Sequence, residues 1–237
     1  KTGFKKELEK VSGYTLPPDF TYTKLMEKAH AGNLFGNELR YIFNEVAHSA
    51  SALKDIFDSV DLYSPKLGSG ERKRDETIIG VLRRIEAINF REYTTDELGE
   101  AFEDVIAAFA VKGGKKSGEF FTPKGVSELL AQIVMEGKAD VEDLTVYDPV
   151  MGSGTSMLAL RKFSHKADRI HYYGQEISAS AYHMARMNLL LHGVAPENQV
   201  LHNANALDAD WPACGETTFQ TVVMDPPYGQ NWSAAEV

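Results

Sequence analysis

The residues best placed to do chemistry fall in four short stretches of the sequence. Asp225-Pro226-Pro227-Tyr228 is the most specific of them. Two consecutive prolines hold the backbone extended and remove two N–H donors. What remains is a set of acceptors, the Asp225 carboxylate and free carbonyls, with an aromatic ring beside them. Such a site suits a planar group carrying an NH2, whereas a rigid surface turn would need neither the acid nor the tyrosine. The second stretch is Asp148-Pro149-Val150-Met151-Gly152-Ser153-Gly154-Thr155. Gly152 and Gly154 allow a tight turn and let a ligand lie against bare backbone. The dinucleotide fingerprint Gly-x-Gly-x-x-Gly is not met, because Met157 stands at its third glycine. An aspartate beside the turn would repel a pyrophosphate and suits a cationic ligand better. Taken alone, this stretch reads equally well as a plain strand-to-helix connection.

The third stretch is Gly174-Gln175-Glu176. A carboxylate there can accept from both hydroxyls of a ribose, or it can be a solvated acid at the start of the next helix, where the macrodipole favours negative charge. The glycine turn 22 residues earlier tips the balance to ribose. The fourth is Gly118-Glu119-Phe120-Phe121-Thr122-Pro123. Its two phenylalanines can plug an interface between domains, or wall a pocket for an adenine or a methionine chain.

These stretches need a frame to hold them. Residues 1–117 read as helical. Phe35, Leu39, Ile42, Phe43 and Val46 recur at helical spacing, as do Ile78, Ile79, Val81, Leu82 and Ile85. Thr94 and Glu97 form a capping-box pattern that opens a helix carrying Leu98, Phe102, Val105, Ile106 and Phe109 on one face. A Gly- and Lys-rich stretch, 111–118, then marks a domain boundary. In 118–237 the pattern changes. Thr122 caps a helix with Pro123 at its first position and Val126, Leu129, Leu130, Ile133 and Val134 as its buried stripe. Strands follow at Leu144–Asp148, Ile170–Gly174, weakly at Val200–His202, and at Phe219–Asp225. Between them lie a helix from about Thr155 and one from its Ser178 cap to Leu191, stopped by Gly193. Alternation of this kind predicts an α/β fold, a parallel sheet with helices on both faces and its functional residues at the carboxyl edge.

Composition narrows the field. The sequence is 43% hydrophobic and 25% charged, an ordinary balance for a folded soluble protein. No apolar run approaches the ~20 residues of a membrane span. A single cysteine, Cys214, excludes an internal disulfide and a cysteine-cluster zinc site, and points to a reducing, cytoplasmic location. The seven histidines show no metal-ligand spacing, so no metal is expected. The net charge is −9, with 18 basic and 19 acidic side chains in residues 1–117 and the remaining 7 and 15 in 118–237. A polyanion is gripped by Lys and Arg, so this chain alone is expected to hold nucleic acid poorly.

Gly-Glu-Phe-Phe-Thr-Pro at 118–123, Asp-Pro-x-x-Gly-Ser-Gly-Thr at 148–155 and Asp-Pro-Pro-Tyr at 225–228, in this order, resemble the modification (M) subunit of type I restriction-modification systems. These are S-adenosylmethionine-dependent N6-adenine DNA methyltransferases of the gamma class. The resemblance implies a helical N-terminal domain, 1–117, and the first part of a Rossmann-like methyltransferase domain, 118–237. Such a sheet has about seven strands and four are found, so the domain is expected to be truncated after the fourth and inactive alone.

The resemblance also implies roles. Glu119, Phe120, Phe121, Thr122 and Pro123 would border the methionine end of S-adenosylmethionine. Asp148 with Gly152, Ser153 and Gly154 would hold its amino-acid part, Thr155 opening the helix. Glu176 would bind the ribose and Ile177 pack on the adenine. Asn205 falls where many relatives carry Asp near the adenine amine. Asp225 and the Pro226 carbonyl would each accept one N–H of the target N6 amine, Pro227 completing the acceptor-only backbone. Tyr228 would stack on the extruded base. A separate specificity subunit would read double-stranded DNA, and a restriction endonuclease subunit would join the complex. Two rival readings are another amino-methyltransferase, acting on protein glutamine or RNA guanine, and an inactive fragment serving as an interaction module. A nicotinamide enzyme stands further off, for want of the third glycine.

Overall fold

The computed structural model describes residues 17–50, 53–113, 122–208, 211–212 and 218–227, with no side chains for 111–113. The chain divides into two compact units, Lys1–Glu92 and Tyr93–Val237.

The first unit holds helices α1 (Tyr22–His30), α2 (Gly36–Ser49) and α3 (Glu71–Glu86). The periodic residues of α2 and α3 turn inward as expected: Leu39, Ile42 and Ile78 are buried with Leu25, Met26 and Leu62, and Phe43, Val46 and Leu82 pack around them. Val81 and Phe35 stay exposed, the latter at the cap position before α2. The turn-rich stretch before α3 is a short 3-10 turn, Pro65–Leu67, and Gly70 caps the helix.

The second unit begins with α4 (Thr95–Gly113). Its capping box forms as read: Thr94 N donates to Glu97 Oε2 at 2.7 Å, and Glu97 N donates to Thr94 Oγ1 at 3.3 Å. After it come α5 (Lys124–Val134), β1 (Thr145–Asp148), α6 (Thr155–Ala159), β2 (His171–Gln175), α7 (Ala179–Leu191), β3 (Gln199–His202) and β4 (Thr221–Val222). All strand pairings are parallel, in the order β3-β2-β1-β4. The chain therefore works outward from β1 to β3, then returns to place β4 on the other side of β1. That reversal creates the crevice at the carboxyl ends of β1 and β4 where open parallel sheets bind ligands. Val146 and Tyr172 are buried in one core with Met157, Leu160, Ala185 and Leu189.

Three features differ from the sequence expectation. First, the sequence reading ends the helical domain at 117, yet α4 belongs to the unit of the sheet. Its Gly99 lies so close to α7 that a Cβ there would come 2.5 Å from the His192 ring. Contact at this distance depends on which helix lies opposite, which periodicity does not report. Second, α5 opens one residue later than expected, at Lys124 with Pro123 as its cap. Third, its buried stripe is shifted. Leu130 and Val134 pack against the core as expected, but the fully buried residues are Ser127 and Ala131, while Val126, Leu129 and Ile133 are exposed. Small side chains let α5 approach α6 closely, where the Ser127 and Ser156 hydroxyls pair at 3.3 Å. The stripe is thus set by size rather than by hydrophobicity. Ser178 caps α7, accepting from Ala181 N at 3.4 Å, and Gly193 ends it at a φ of +69°.

Candidate functional site

Three acids stand at the carboxyl edge of the sheet: Asp148 closes β1, Glu176 follows β2, and Asp225 lies three residues beyond β4. Asp148 is 2% exposed. Burial pushes its carboxyl up to about 7, from an ordinary 3.8. The Val150 N–H, donating at 3.0 Å, pulls it partly back, and the charges of Glu176 and Asp225 raise it further. Three acids at one edge of the sheet make it a place where a cation would be favoured. Among the described residues no cluster of three or more His, Cys, Asp or Glu side chains is placed to hold a metal ion.

The glycine turn is built against this group. Gly154 N donates to Met151 O at 2.7 Å, closing a turn in which Gly152 has a φ of +53°. A positive φ at the second position suits glycine. Gly154 follows at +79°, a left-handed conformation that again suits glycine, and a Cβ there would press on Leu189 at 3.0 Å. Met151 N donates to Gln175 O at 3.0 Å, so the turn is tied to the end of β2. Ser153 and Thr155 are buried with their hydroxyls 3.0 Å apart. From Met151 to Leu160 every residue is buried.

Glu176 links turn and strand. Its Oε2 accepts from Gly152 N at 3.0 Å and its Oε1 from Ser178 N at 2.8 Å. Each carboxylate oxygen has a second lone pair, which leaves the group able to accept from ribose hydroxyls. Ile177 beside it is 68% exposed, an open apolar platform. Asn203 fixes this backbone, its Nδ2 donating to Glu176 O at 2.7 Å and to Ile177 O at 3.1 Å. Asn205 is half-buried, and its Oδ1 accepts from Leu207 N at 3.1 Å, so its carbonyl already has one backbone donor.

After β4 the ladder continues one residue, Val223 N donating to Tyr147 O at 3.0 Å, and then opens. Asp225 is half-buried, and Pro226 and Pro227 are exposed. The structure thus brings together Asp148, the 152–155 turn, Glu176 and Asp225. Thr122 and Pro123 immediately precede the helix that packs on α6, and among the described residues no hydrogen bond joins them to the acidic group. Glu119, Phe120, Phe121 and Tyr228 lie outside the described residues.

Gly174 has a part that its place in a strand-end motif does not explain. A Cβ on it would overlap Met151 Sδ at 2.4 Å, so this glycine seats the turn on β2. A glycine inside a strand is the sequence signal for such close approach. The roles of Asn188 and Asn203 carried no sequence signal beyond a polar residue in an otherwise apolar or loop setting.

The acidic edge, the bare backbone of the turn and the exposed Ile177 fit a ligand with a positive end, a sugar and a flat apolar ring. S-adenosylmethionine has all three.

Residues 93–237 match the model of the family described as N-6 DNA Methylase. Over 214 residues, or 82% of this chain, the sequence is 34% identical to the type I restriction enzyme MpnII methylase subunit of Mycoplasma pneumoniae, covering 39% of that protein. It is 27% identical over 165 residues to the HindI methylase subunit of Haemophilus influenzae, covering 61% of this chain and 36% of the relative. A crystal structure of the type I restriction-modification system methyltransferase subunit from Streptococcus thermophilus superposes with a TM-score of 0.90 at 37% identity. That match covers 98% of this chain and 49% of the other. The chain thus spans less than half the length of each of these three relatives.

Proposed function

This chain belongs to the N-6 DNA methylase family, and from that we propose that it is part of a type I restriction-modification methyltransferase subunit, an enzyme that methylates N6 of adenine in DNA. The observation that carries the reading is the arrangement of Asp148, Glu176 and Asp225 along one sheet edge at the switch point, with a glycine turn tied to Glu176. It joins a site for a cation to an acceptor-only strand end within one crevice.

In this reading Asp148 and the 152–154 backbone hold the amino-acid end of S-adenosylmethionine. Glu176 takes the ribose, Ile177 and Asn205 take the adenine, and Glu119 to Pro123 border the methionine chain, with Thr155 closing the turn. When bound, S-adenosylmethionine supplies an activated methyl on its sulfonium. The chain's own residues act on the target amine, a weak nucleophile because its lone pair spreads into the ring. Asp225 and the Pro226 carbonyl each accept one N–H. As the nitrogen turns tetrahedral, positive charge develops beside these acceptors, and a preorganised group of this kind is worth about 3 kcal/mol, by analogy with an oxyanion-hole donor. Tyr228 stacks on the base, offsetting part of the few kcal/mol needed to extrude it.

We assign residues 1–117 to the subunit's helical part, its last helix α4 lying in the compact unit of the sheet, and 118–237 to the opening part of its catalytic domain. The negative balance of the second part leaves DNA binding to a specificity subunit, with a restriction subunit as the further partner and the cytoplasm as the compartment. Among the described residues no helix is long and apolar enough to cross a membrane.

The test is transfer of labelled methyl from S-adenosylmethionine to duplex DNA by the full-length subunit with its specificity subunit. N6-methyladenine is the expected product. Methylation of a glutamine peptide or of guanine in RNA instead, under the same conditions, would move the protein to the rival class.

A further inference from the structure

Behind the glycine turn, on α7, sits a residue that no motif marks. Asn188 is fully buried, and its Nδ2 donates to Ser153 O at 3.0 Å. Its Oδ1 meets no donor among the described residues. A carbonyl faces the amide, so the nitrogen end must be the one that points at the turn. Half of this side chain is therefore buried without a partner, an arrangement that packing alone would replace with leucine. What the amide does supply is one donor to one carbonyl in the centre of the turn.

That carbonyl sets the turn. The Ser153–Gly154 peptide is planar, so fixing Ser153 O toward α7 fixes the Gly154 N–H in the opposite direction. There it meets Met151 O at 2.7 Å. Leu189 and Ala185, on the same helix, occupy the space that a Cβ on Gly154 would enter. Asn188 is itself held, because its own carbonyl accepts from His192 N at 3.0 Å and faces His192 Nδ1 at 2.9 Å. The His192 ring is in turn covered by Gly99 of α4.

We propose that Asn188 is a positioning residue that locks the Met151–Gly154 turn into its ligand-holding shape through the Ser153 carbonyl. It touches neither the ligand nor the reacting atoms and acts through the turn. The proposal rests on the reading of that turn as the S-adenosylmethionine site.

The test compares wild type with Asn188→Leu and Asn188→Ala in the full chain, with Met184→Ala, on the same helix, as control. Two quantities are read below the melting transition of each protein. One is the Kd for S-adenosylmethionine. The other is hydrogen exchange at the Gly154 amide, set against that of Val223, which bonds the sheet. Loss of the donor is expected to raise Kd and speed Gly154 exchange by about tenfold or more, with Val223 unchanged. Met184→Ala, a half-buried side chain on the same helix, is expected to leave both readings in place. If Asn188→Leu does not fold, Asn188→Ala carries the same expectation, since it removes the donor and adds no bulk. Unchanged Kd and Gly154 exchange in a folded variant overturns the proposal. So does faster exchange shared equally by Gly154 and Val223, the mark of a merely structural role. Faster exchange confined to Gly154 in variants, with no binding by wild type, would keep Asn188 as the lock and remove the cofactor reading.

Discussion

The turn after β1 is buried from Met151 to Leu160, whereas the chain after β4 passes from half-buried Asp225 to exposed Pro226 and Pro227. Both follow a strand end beginning with or leading to an aspartate and a proline. They differ in what surrounds the acid. Asp148 is enclosed and pushed toward neutrality, and its turn is hydrogen-bonded to β2, to Glu176 and to α7. The Asp225 segment passes from half-buried to exposed and has no backbone donors at its two prolines. In the proposed reaction the difference has a purpose. A small cofactor is held by a shape built in advance, while a base leaving a duplex needs acceptors that stay open to it.

The sharpest way to break the comparison is at Asp225. Asp225→Ala is expected to lower methyl transfer by about 10²–10³-fold or more, as for other preorganised transition-state contacts. The Kd for S-adenosylmethionine, measured by calorimetry, is expected to stay within about threefold, since binding rests on the other strand end. Equal loss of both would show that the two ends form a single site.

Asp148 gives the next largest effect, and its sign is distinctive. A carboxyl whose folded pKa is raised contributes stability that is full below its unfolded value. That stability is lost as pH rises from about 4 through about 7. Asp148→Asn is therefore expected to gain stability over wild type at pH 8 by a few kcal/mol, with little gain near pH 4, as read by chemical denaturation. S-adenosylmethionine should show the reverse trend in wild type. Its affinity should rise with pH up to about 7, as the carboxylate it prefers becomes populated, and this slope should vanish in the variant. A pH-independent wild-type affinity would leave Asp148 with no part in binding.

Gly154→Ala should be milder. The left-handed backbone costs a residue with a Cβ about 1–2 kcal/mol, and the contact with Leu189 adds to it. A melting temperature lowered by several degrees, together with weaker cofactor binding, is the expected result. Thr94→Ala is smallest: loss of the cap should cost about 1 kcal/mol in unfolding experiments and leave cofactor affinity unchanged, because the box serves α4 alone.

Much of the candidate site was legible because it depends on short stretches of chain. Thr94 with Glu97, Ser178 with Ala181, and Gly193 after α7 are bonds or angles made within a few residues, and each forms as read. The strand-end position of Asp148, Glu176 and Asp225 followed from alternation of strand and helix. The stripe of α5 did not follow in full: of the residues that hydrophobic spacing named, Leu130 and Val134 pack on the core but Val126, Leu129 and Ile133 are exposed, while close packing on α6 selected Ser127 and Ala131. Nor did the attachment of α4 to the sheet unit through Gly99, where the absence of a side chain makes room for a ring from another helix.

Sequence alone determined the order of the elements, the parallel class of the sheet and the chemical character of the crevice. All of these are written in residue types a few positions apart. Only the tertiary structure decided that Asp148 is buried enough to sit near neutrality, that Gly174 yields its space to Met151, and that Asn188 holds the turn from behind. These depend on which groups meet from positions 23 to 35 apart in the chain, where burial and close contact arise only once the sheet has closed around them.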